Sequence, residues 1–258
     1  MLIDTHCHLH FDAFDPDREK VIERAHEYGL KYLVNVGTDP VTNQAAFDLA
    51  KSHEGIFHTA GLHPHHSNEI SEEGFAALKE FVIQSKPYAI GEIGLDYFKS
   101  LADPDIQKDI FAKMLRLAME VNLPVIVHSR NAFEDTLKII KEETGGRVKG
   151  VMHCFSYDET ALKELLDLGF LVSFTCNLTF KNAGSLLDVA KIAPLERLML
   201  ETDSPYLAPQ IYRGKRNEPS CLVHLAQFFS EQRGIAQEEL ERVTTETAIN
   251  FFGLKDKS

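Results

Sequence analysis

In Leu2-Ile3-Asp4-Thr5-His6-Cys7-His8 a short apolar run ends in two closely spaced imidazoles, and this pattern is the first indication of the fold. In an extended strand residues i and i+2 point to the same side, so His6 and His8 can face one cation together. Further potential ligands follow apolar runs elsewhere in the chain: Glu92, His128, His153 and Asp203. Strands that all end in potential ligands predict one sheet whose C-terminal edges meet at a metal site.

Apolar runs alternate with amphipathic stretches from end to end. The predicted strands are 2–5, 31–36, 56–61, 88–92, 123–128, 148–153, 170–175 and 197–202. The predicted helices are 17–28, 41–53, 72–84, 104–121, 132–143, 158–168, 182–192, 219–233 and 237–252. Strands that recur about every 28 residues and alternate with helices predict an all-parallel sheet. Since no linker or composition break interrupts the pattern, we predict a single domain over 1–258.

The origin of the candidate ligands separates two arrangements of such a sheet. They come from predicted strands 1, 4, 5, 6 and 8. An open doubly wound sheet would keep strands 1 and 8 far apart, whereas a closed barrel brings all five strand ends around one axis. The sequence therefore predicts an α/β fold, a (β/α)8 TIM barrel with its metal site at the C-terminal ends of the strands.

The composition is that of a globular protein, with 44% hydrophobic and 26% charged residues and a formal charge of −12 over 258 residues. This charge argues against a broad basic face for nonspecific binding of nucleic acid, but a local basic loop and bound cations can still hold a phosphate. No apolar run approaches the roughly 20 residues that span a bilayer, and no leader precedes the first strand. We therefore expect a cytoplasmic protein without a membrane segment.

The four cysteines are widely spaced and form no C-x-x-C pair, so we predict free thiols in a reducing compartment. They are Cys7, Cys154, Cys176 and Cys221. Cys7 and Cys154 each adjoin a candidate histidine, and a thiolate ligand is the weaker alternative for these two.

Glu92 lies between two glycines, in Gly91-Glu92-Ile93-Gly94, directly after an apolar run. Its two carboxylate oxygens could bridge two cations, which a histidine cannot do. The alternative is a carboxylate that caps a turn. For Asp96, a little further on, we predict a supporting role behind the ligands.

His128 and His153 end two neighbouring predicted strands. A solitary histidine at such a place is more often a hydrogen-bonded core residue, but two at equivalent points favour metal ligands. Asp203 could bind a cation and also orient or deprotonate an attacking water, so we predict Asp203 and Glu92 as catalytic residues. A turn residue before Pro205 is the alternative for Asp203. Glu201 shares its side of the strand and could support the site from one layer below.

Candidate phosphate contacts lie in two loops and on one strand end. His63 begins a histidine-rich loop after predicted strand 3 and could bind substrate phosphate or donate a proton. The basic cluster after predicted strand 8 supplies Arg213, Lys215 and Arg216, and Arg130 follows His128 by two residues. One arginine guanidinium can bind two phosphate oxygens at once, and barrels often bind phosphate in the loops after their last strands. Both loops could instead be merely solvated polar segments.

These groups together predict hydrolysis by two divalent ions per chain, which would activate water and stabilise a leaving oxygen. Imidazole-rich ligation suits zinc or manganese, and nuclease chemistry often uses magnesium.

The ordered motifs resemble those of the TatD family of metal-dependent deoxyribonucleases, within the amidohydrolase-like barrels, from residue 3 to about 253. The motifs are Asp4-Thr5-His6-Cys7-His8, Gly61-Leu62-His63-Pro64-His65, Gly91-Glu92-Ile93-Gly94-Leu95-Asp96, Val127-His128-Ser129-Arg130, His153-Cys154-Phe155-Ser156, Glu201-Thr202-Asp203-Ser204-Pro205-Tyr206-Leu207 and Arg213-Gly214-Lys215-Arg216-Asn217-Glu218-Pro219. One position departs from the family's pattern, since Cys176 stands where the family often has glycine, which puts the local loop shape in doubt.

The resemblance implies a TIM barrel with a dinuclear site. By that likeness His6, His8 and Asp203 would hold one ion, His128 and His153 the other, and Glu92 would bridge them. It implies hydrolysis of DNA, commonly from the 3′ ends of single strands, with magnesium or manganese as activator.

The expected partner is therefore a single-stranded DNA substrate, with a monomer favoured as oligomeric state. A second enzymatic reading keeps the metals and changes the substrate to a carboxyl ester, lactone or amide, since this barrel hosts many chemistries. A non-catalytic metal-binding scaffold is the remaining alternative.

Overall fold

Eight short strands alternate with helices in a computed structural model, which describes residues 1–99 and 101–254. The strands are β1 (Leu2–Cys7), β2 (Leu30–Val36), β3 (Ile56–Thr59), β4 (Ile90–Asp96), β5 (Val125–Arg130), β6 (Gly150–Met152), β7 (Leu171–Phe174) and β8 (Leu198–Leu200). The helices are α1 (Arg18–Glu27), α2 (Pro40–Ser52), α3 (Glu72–Ser85), α4 (Pro104–Val121), α5 (Phe133–Thr144), α6 (Glu159–Asp167), α7 (Gly184–Ile192), α8 (Leu222–Arg233) and α9 (Gln237–Phe252). Short 3-10 turns cover Asp12–Phe14, Pro64–Glu69, Cys176–Thr179, Leu195–Arg197, Gln210–Tyr212 and Pro219–Cys221.

The strands pair in parallel and in chain order, as β1-β2-β3 and as β4-β5-β6-β7-β8. Two single bridges join these segments, one between Ala60 and Ile90 and one between Cys7 and Ser204. At the second junction the amide of Asp203 donates to the carbonyl of His6 at 2.8 Å. Positions 6 and 203 therefore meet, and the predicted TIM barrel is confirmed.

Two layers of apolar side chains hold the barrel together. Inside it, Ile3, Val34, Ile126 and Met199 pack against one another, and Phe251 of α9 belongs to the same cluster. The second layer lies between the strands and the surrounding helices. Since strand residues alternate between these layers, an inward-facing residue near the C-terminal end of a strand points to the mouth of the barrel.

Two register shifts change that alternation where the first and fourth strands approach the mouth. In β1 the shift lies between Asp4 and Cys7, and in β4 it lies between Ile90 and Ile93. Ile90 and Ile93 are three residues apart, yet both face the helices. In a regular strand their side chains would point to opposite sides, so one extra residue is inserted between them. A β-bulge of this kind re-aims a side chain, and here the bulged segments carry His6 and Glu92.

Helix starts place the loops around the mouth. The side chain of Asp39 caps α2 in a capping box with Thr42, and the side chains of Ser71, Asp103 and Asp158 cap α3, α4 and α6. These residues satisfy amides at the helix N-termini, which would otherwise lack partners. In the part of the chain that the structure describes, we find no helix with the length and apolar character of a membrane span.

Candidate metal centre

The first group of ligand atoms combines the ends of β1, β4 and β8. The Nε2 atoms of His6 and His8 lie 3.3 Å apart, and Asp203 Oδ1 lies 3.8 Å and 3.5 Å from them. Glu92 Oε2 completes the group at 3.4 Å from His6 Nε2. Four ligand atoms from distant parts of the chain thus converge on one point.

The second group gathers around the other oxygen of Glu92. His153 Nε2 lies 2.8 Å from Glu92 Oε1, and His128 Nδ1 lies 3.0 Å from it. His63 Nε2 approaches the same oxygen at 3.5 Å. The two carboxylate oxygens of Glu92 therefore face two different sets of imidazoles, which is the arrangement a bridging ligand requires.

Glu92 is almost fully buried, and this position depends on close packing by glycine. A Cβ at Gly61 would lie 2.5 Å from the backbone nitrogen of Glu92, so only glycine lets the end of β3 come this close. Burial alone would raise the pKa of Glu92, but the imidazoles of His153, His63 and His128 hold it well below its usual range. The side chain is therefore a carboxylate at neutral pH.

Asp203 follows β8 in the left-handed region, with φ of 54°. Aspartate tolerates this conformation better than most residues, and such strain concentrates at functional sites. Burial raises the pKa of its carboxyl group, but His8 and His6 bring it below the ordinary value. Asp203 is consequently ionised and faces the first group of imidazoles.

Polar groups behind the ligands orient them. His8 Nδ1 donates to the carbonyl of Val36 at 2.7 Å, which leaves Nε2 free to bind a cation. His128 Nε2 donates to Asp96 Oδ2 at 3.1 Å, and His153 Nδ1 lies 3.4 Å from Glu201 Oε1. Partners of this kind orient metal-binding imidazoles and raise their basicity. Asp96 and Glu201 thus lie where supporting groups were predicted.

Asp4 takes part in the site in a way that the sequence analysis did not predict. Its carboxylate accepts from the Thr202 amide at 2.9 Å and from the Thr202 hydroxyl at 2.5 Å, and so holds the residue before Asp203. Burial raises the pKa of Asp4 to about 7, against the hydrogen bonds from Thr202 that lower it. Its place in the Asp-Thr-His-Cys-His run was the one available signal.

His63 lies deeper than a surface phosphate contact would. Burial lowers its pKa to about 4, although Glu92 acts in the opposite direction, so the ring is neutral. Its ligand atom lies with those of Glu92 and His128 in the second group, and a further set of close ligand atoms combines His6, His153 and Glu201. His65 follows His63 by two residues, and its Nε2 atom lies 3.0 Å from Asp96 Oδ2.

The basic residues divide into two sets. Arg130 and Arg213 are exposed, and their guanidinium groups lie over the rings of Phe98 and Phe180, at 4.3 Å and 3.9 Å from the centroids. Lys215 is exposed beside Tyr212. These three side chains have no acidic partner in the ion pairs of the described residues.

Arg216, a predicted substrate contact, is paired within the fold. Both of its terminal nitrogens bind the carboxylate of Asp17, at 2.7 Å and 2.8 Å, and one also donates to the carbonyl of Ala13. In a bidentate pair of this kind, both terminal nitrogens of the guanidinium donate to the carboxylate. Arg216 therefore anchors the basic loop to the start of α1, which the sequence did not indicate because Asp17 is 199 residues away.

The cysteines are free thiols, as predicted. Burial raises the pKa of Cys154 to about 12, and the Cys7 thiol points to the carbonyl of Val34. None of the groups of potential ligand atoms among the described residues includes a cysteine, so the thiolate alternative has no support. Cys176 is buried, and its thiol faces the carbonyl of Cys221.

The donor set fits divalent cations. Imidazole nitrogens and ionised carboxylates are common ligands of zinc, manganese and iron. The ligand atoms of His6, His8 and Asp203 lie within 4.8 Å of one another, and so do those of His63, Glu92 and His128. Although burial acts in the opposite direction, the nearby carboxylates raise the pKa values of His8, His128 and His153, so a divalent cation would compete with protons for these imidazoles. A buried cluster of several carboxylates also needs compensating positive charge, which bound cations provide.

Comparison with known proteins gives a consistent result. The family model described as TatD related DNase matches residues 3–253. An uncharacterized metal-dependent hydrolase of Bacillus subtilis, YabD, is 41% identical over 98% of this chain and 99% of its own. A 3′-5′ ssDNA/RNA exonuclease TatD of Erwinia tasmaniensis is 35% identical over 98% of this chain and all of its own. The crystal structure of YJJV, a TatD homologue of Escherichia coli, superposes with a TM-score of 0.93 at 27% identity and covers 98% of both chains.

The match spans nearly the whole chain, and it includes the segments that supply each candidate ligand from His6 to Asp203. The alignments with these two relatives, both above 30% identity, cover almost the full length of this chain and of the relative. The chain therefore belongs to the TatD family of metal-dependent hydrolases.

Proposed function

We propose that this chain is a two-metal phosphodiesterase that hydrolyses DNA from the 3′ ends of single strands. The observation that carries the proposal is the divergence of the two Glu92 oxygens toward two groups of imidazoles. In this proposal His6, His8 and Asp203 hold one ion, His128 and His153 hold the other, and Glu92 binds both.

The protein's own residues supply orientation and charge. Divalent ions bound there would activate water and neutralise charge on the phosphoryl group and its leaving oxygen. Asp203 is ionised, and its Oδ1 atom lies within 3.8 Å of the Nε2 atoms of both His6 and His8, so in this proposal it orients the water and accepts its proton. The burial of Glu92 and His6 in the barrel keeps these interactions in a region of low dielectric, where they are strong.

Substrate binding in this proposal rests on basic side chains at the mouth. Arg130, Arg213 and Lys215 are exposed and have no acidic partner among the described residues, whereas Arg216 would have to leave Asp17 to bind a phosphate. His63 is neutral and adjoins the second group, where it can donate a hydrogen bond to a phosphate oxygen. The name of the Erwinia relative, an exonuclease of single-stranded DNA and RNA, supports a nucleic-acid substrate.

The test is cleavage of end-labelled single- and double-stranded DNA and RNA with magnesium, manganese or zinc. We expect metal-stimulated shortening of single-stranded DNA from the 3′ end, and loss of cleavage in Glu92→Ala with the fold intact by circular dichroism. Glu80→Ala, which changes an exposed glutamate of α3, is the matched control and should cleave like wild type. Full activity in Glu92→Ala would overturn the proposal. Turnover of a carboxyl ester, lactone or amide without cleavage of any oligonucleotide would replace it by the second enzymatic reading.

A further inference from the structure

Exposed aromatic rings flank the metal centre at the mouth of the barrel. Phe98 follows β4 and is 55% exposed, although a phenylalanine gains by burial. The guanidinium of Arg130, at the end of β5, lies 4.3 Å from its ring centroid. We call this pair the β4–β5 platform.

A second aromatic surface follows β1 and β8. Phe11 stacks on the ring of His8, with centroids 4.6 Å apart and planes 6° from parallel. Tyr206 is 54% exposed, and its ring lies 6.4 Å from those of Phe11 and His8. Phe11 and Tyr206 form the β8–β1 platform.

The two platforms lie on opposite sides of the metal centre. In a barrel of eight strands in chain order, the β4–β5 edge is four strands away from the β8–β1 edge. Arg130 shares its strand face with His128 and Ile126, and Ile126 packs inside the barrel, so this face points to the mouth. Each platform also adjoins a different group of ligands, since Asp96 binds His128 and the amide of Phe98, while Phe11 covers His8.

From this geometry we infer that the two platforms bind the bases of a single-stranded nucleic acid on either side of the phosphate held at the metal centre. The inference deepens the proposed function and rests on it. An aromatic side chain stacks on any base, because every base offers a flat π face. A duplex keeps those faces stacked on one another, so only a single strand can occupy both platforms.

Charge supports a nucleic acid as the occupant. The protein carries a formal charge of −12, yet Arg130 and Arg213 hold their guanidinium groups against aromatic rings at this mouth, with no carboxylate partner in the described part of the chain. Arginine stacked on an aromatic ring keeps its donors available for phosphate and stacks on bases itself. A nonphosphorylated polypeptide would match the rings, but it offers no phosphate to the two guanidinium groups.

The test measures binding separately from cleavage. The probe is a short single-stranded DNA with phosphorothioate linkages, which resist cleavage, and with 2-aminopurine as the base on each side of the central linkage. With manganese-loaded protein we expect quenching of the 2-aminopurine fluorescence. Phe98→Leu and Tyr206→Leu should each weaken binding by about tenfold in fluorescence anisotropy and remove the quenching at one of the two bases.

Tyr28→Leu is the matched control, because Tyr28 is 55% exposed but follows the C-terminal end of α1, at the opposite face of the barrel. It should leave both readouts as in wild type. Unchanged affinity and quenching in Phe98→Leu and Tyr206→Leu, equal binding of a duplex, or no binding by wild type would overturn the inference. Platform-dependent binding without any cleavage of unmodified DNA would instead overturn the proposed nuclease function and leave the inference standing.

Discussion

At the scale of single residues, Glu92 and its neighbours show how a carboxylate can be both buried and ionised. Five imidazoles lie around it, two on the side of Oε2 and three on the side of Oε1. The sequence predicted Glu92 as a bridge because it follows an apolar run and has two carboxylate oxygens, which a histidine lacks. It did not predict the depth of His63 or the hold of Asp4 on Thr202, since these depend on contacts between distant strands.

Asp96 tests the role of the groups behind the ligands. It accepts from His128 Nε2, and so fixes the ring whose Nδ1 atom faces Glu92. We predict that Asp96→Asn lowers the affinity for one of two manganese ions by 10- to 100-fold, as is typical when such a partner is lost. Isothermal titration of manganese would measure this, with Asp48→Asn on the exposed face of α2 as control. Two binding steps with wild-type affinities in Asp96→Asn would show that the ring is held by other contacts.

At the scale of elements, the ends of several helices followed from local patterns, but some strand ends and the bulges did not. The predicted helices 104–121 and 237–252 agree with α4 and α9 at both ends. The predicted strand 88–92 was too short, because β4 continues to Asp96 beside the end of β5. A bulge arises from pairing with a neighbouring strand. The sequence of β1 or β4 alone therefore does not reveal that the bulges change the direction of the His6 and Glu92 side chains.

Gly94 tests the close pairing of β4 with β5. It has φ of 141°, and a Cβ there would overlap the carbonyl oxygen of His128. We predict that Gly94→Ala destabilises the protein by about 3 kcal/mol or more, because strain and backbone displacement add. Urea unfolding would measure this. Gly184→Ala is the control, since a Cβ at Gly184 in α7 meets no atom within 4 Å and should be neutral or slightly stabilising. Equal stability of both variants would contradict this view of the β4–β5 junction.

At the scale of the whole molecule, barrel closure creates the site. Residues 6 and 203 are both candidate ligands of one site, and only a closed barrel brings the first and last strands together, so we predicted that they meet. The junction of β1 with the segment after β8 confirms this. The long-range pair between Arg216 and Asp17 shows the limit of the same reasoning. A basic cluster in the sequence does not reveal which of its charges is neutralised by a partner elsewhere in the fold.

Metal removal tests how much the ions contribute to this closed state. The candidate ligands come from β1, β4, β5, β6 and β8 or the residues directly after them, so a bound ion ties these strands to one another. An ion present at about 100 times its Kd stabilises the folded state by about 2.7 kcal/mol. For a chain of this size we therefore predict that a chelator lowers Tm by roughly 5–10 °C, and that manganese restores it. An unchanged Tm by calorimetry would mean that the ligand positions are filled weakly or not at all.

The central claim is that Glu92 joins two cation positions, and electron paramagnetic resonance of the manganese-loaded protein tests it most directly. With two equivalents of manganese per chain, we expect the spectrum of an exchange-coupled pair. In Glu92→Gln we expect this coupling to be lost. Saturation at one ion per chain, two uncoupled ions in wild type, or a coupled spectrum that persists in Glu92→Gln would contradict it.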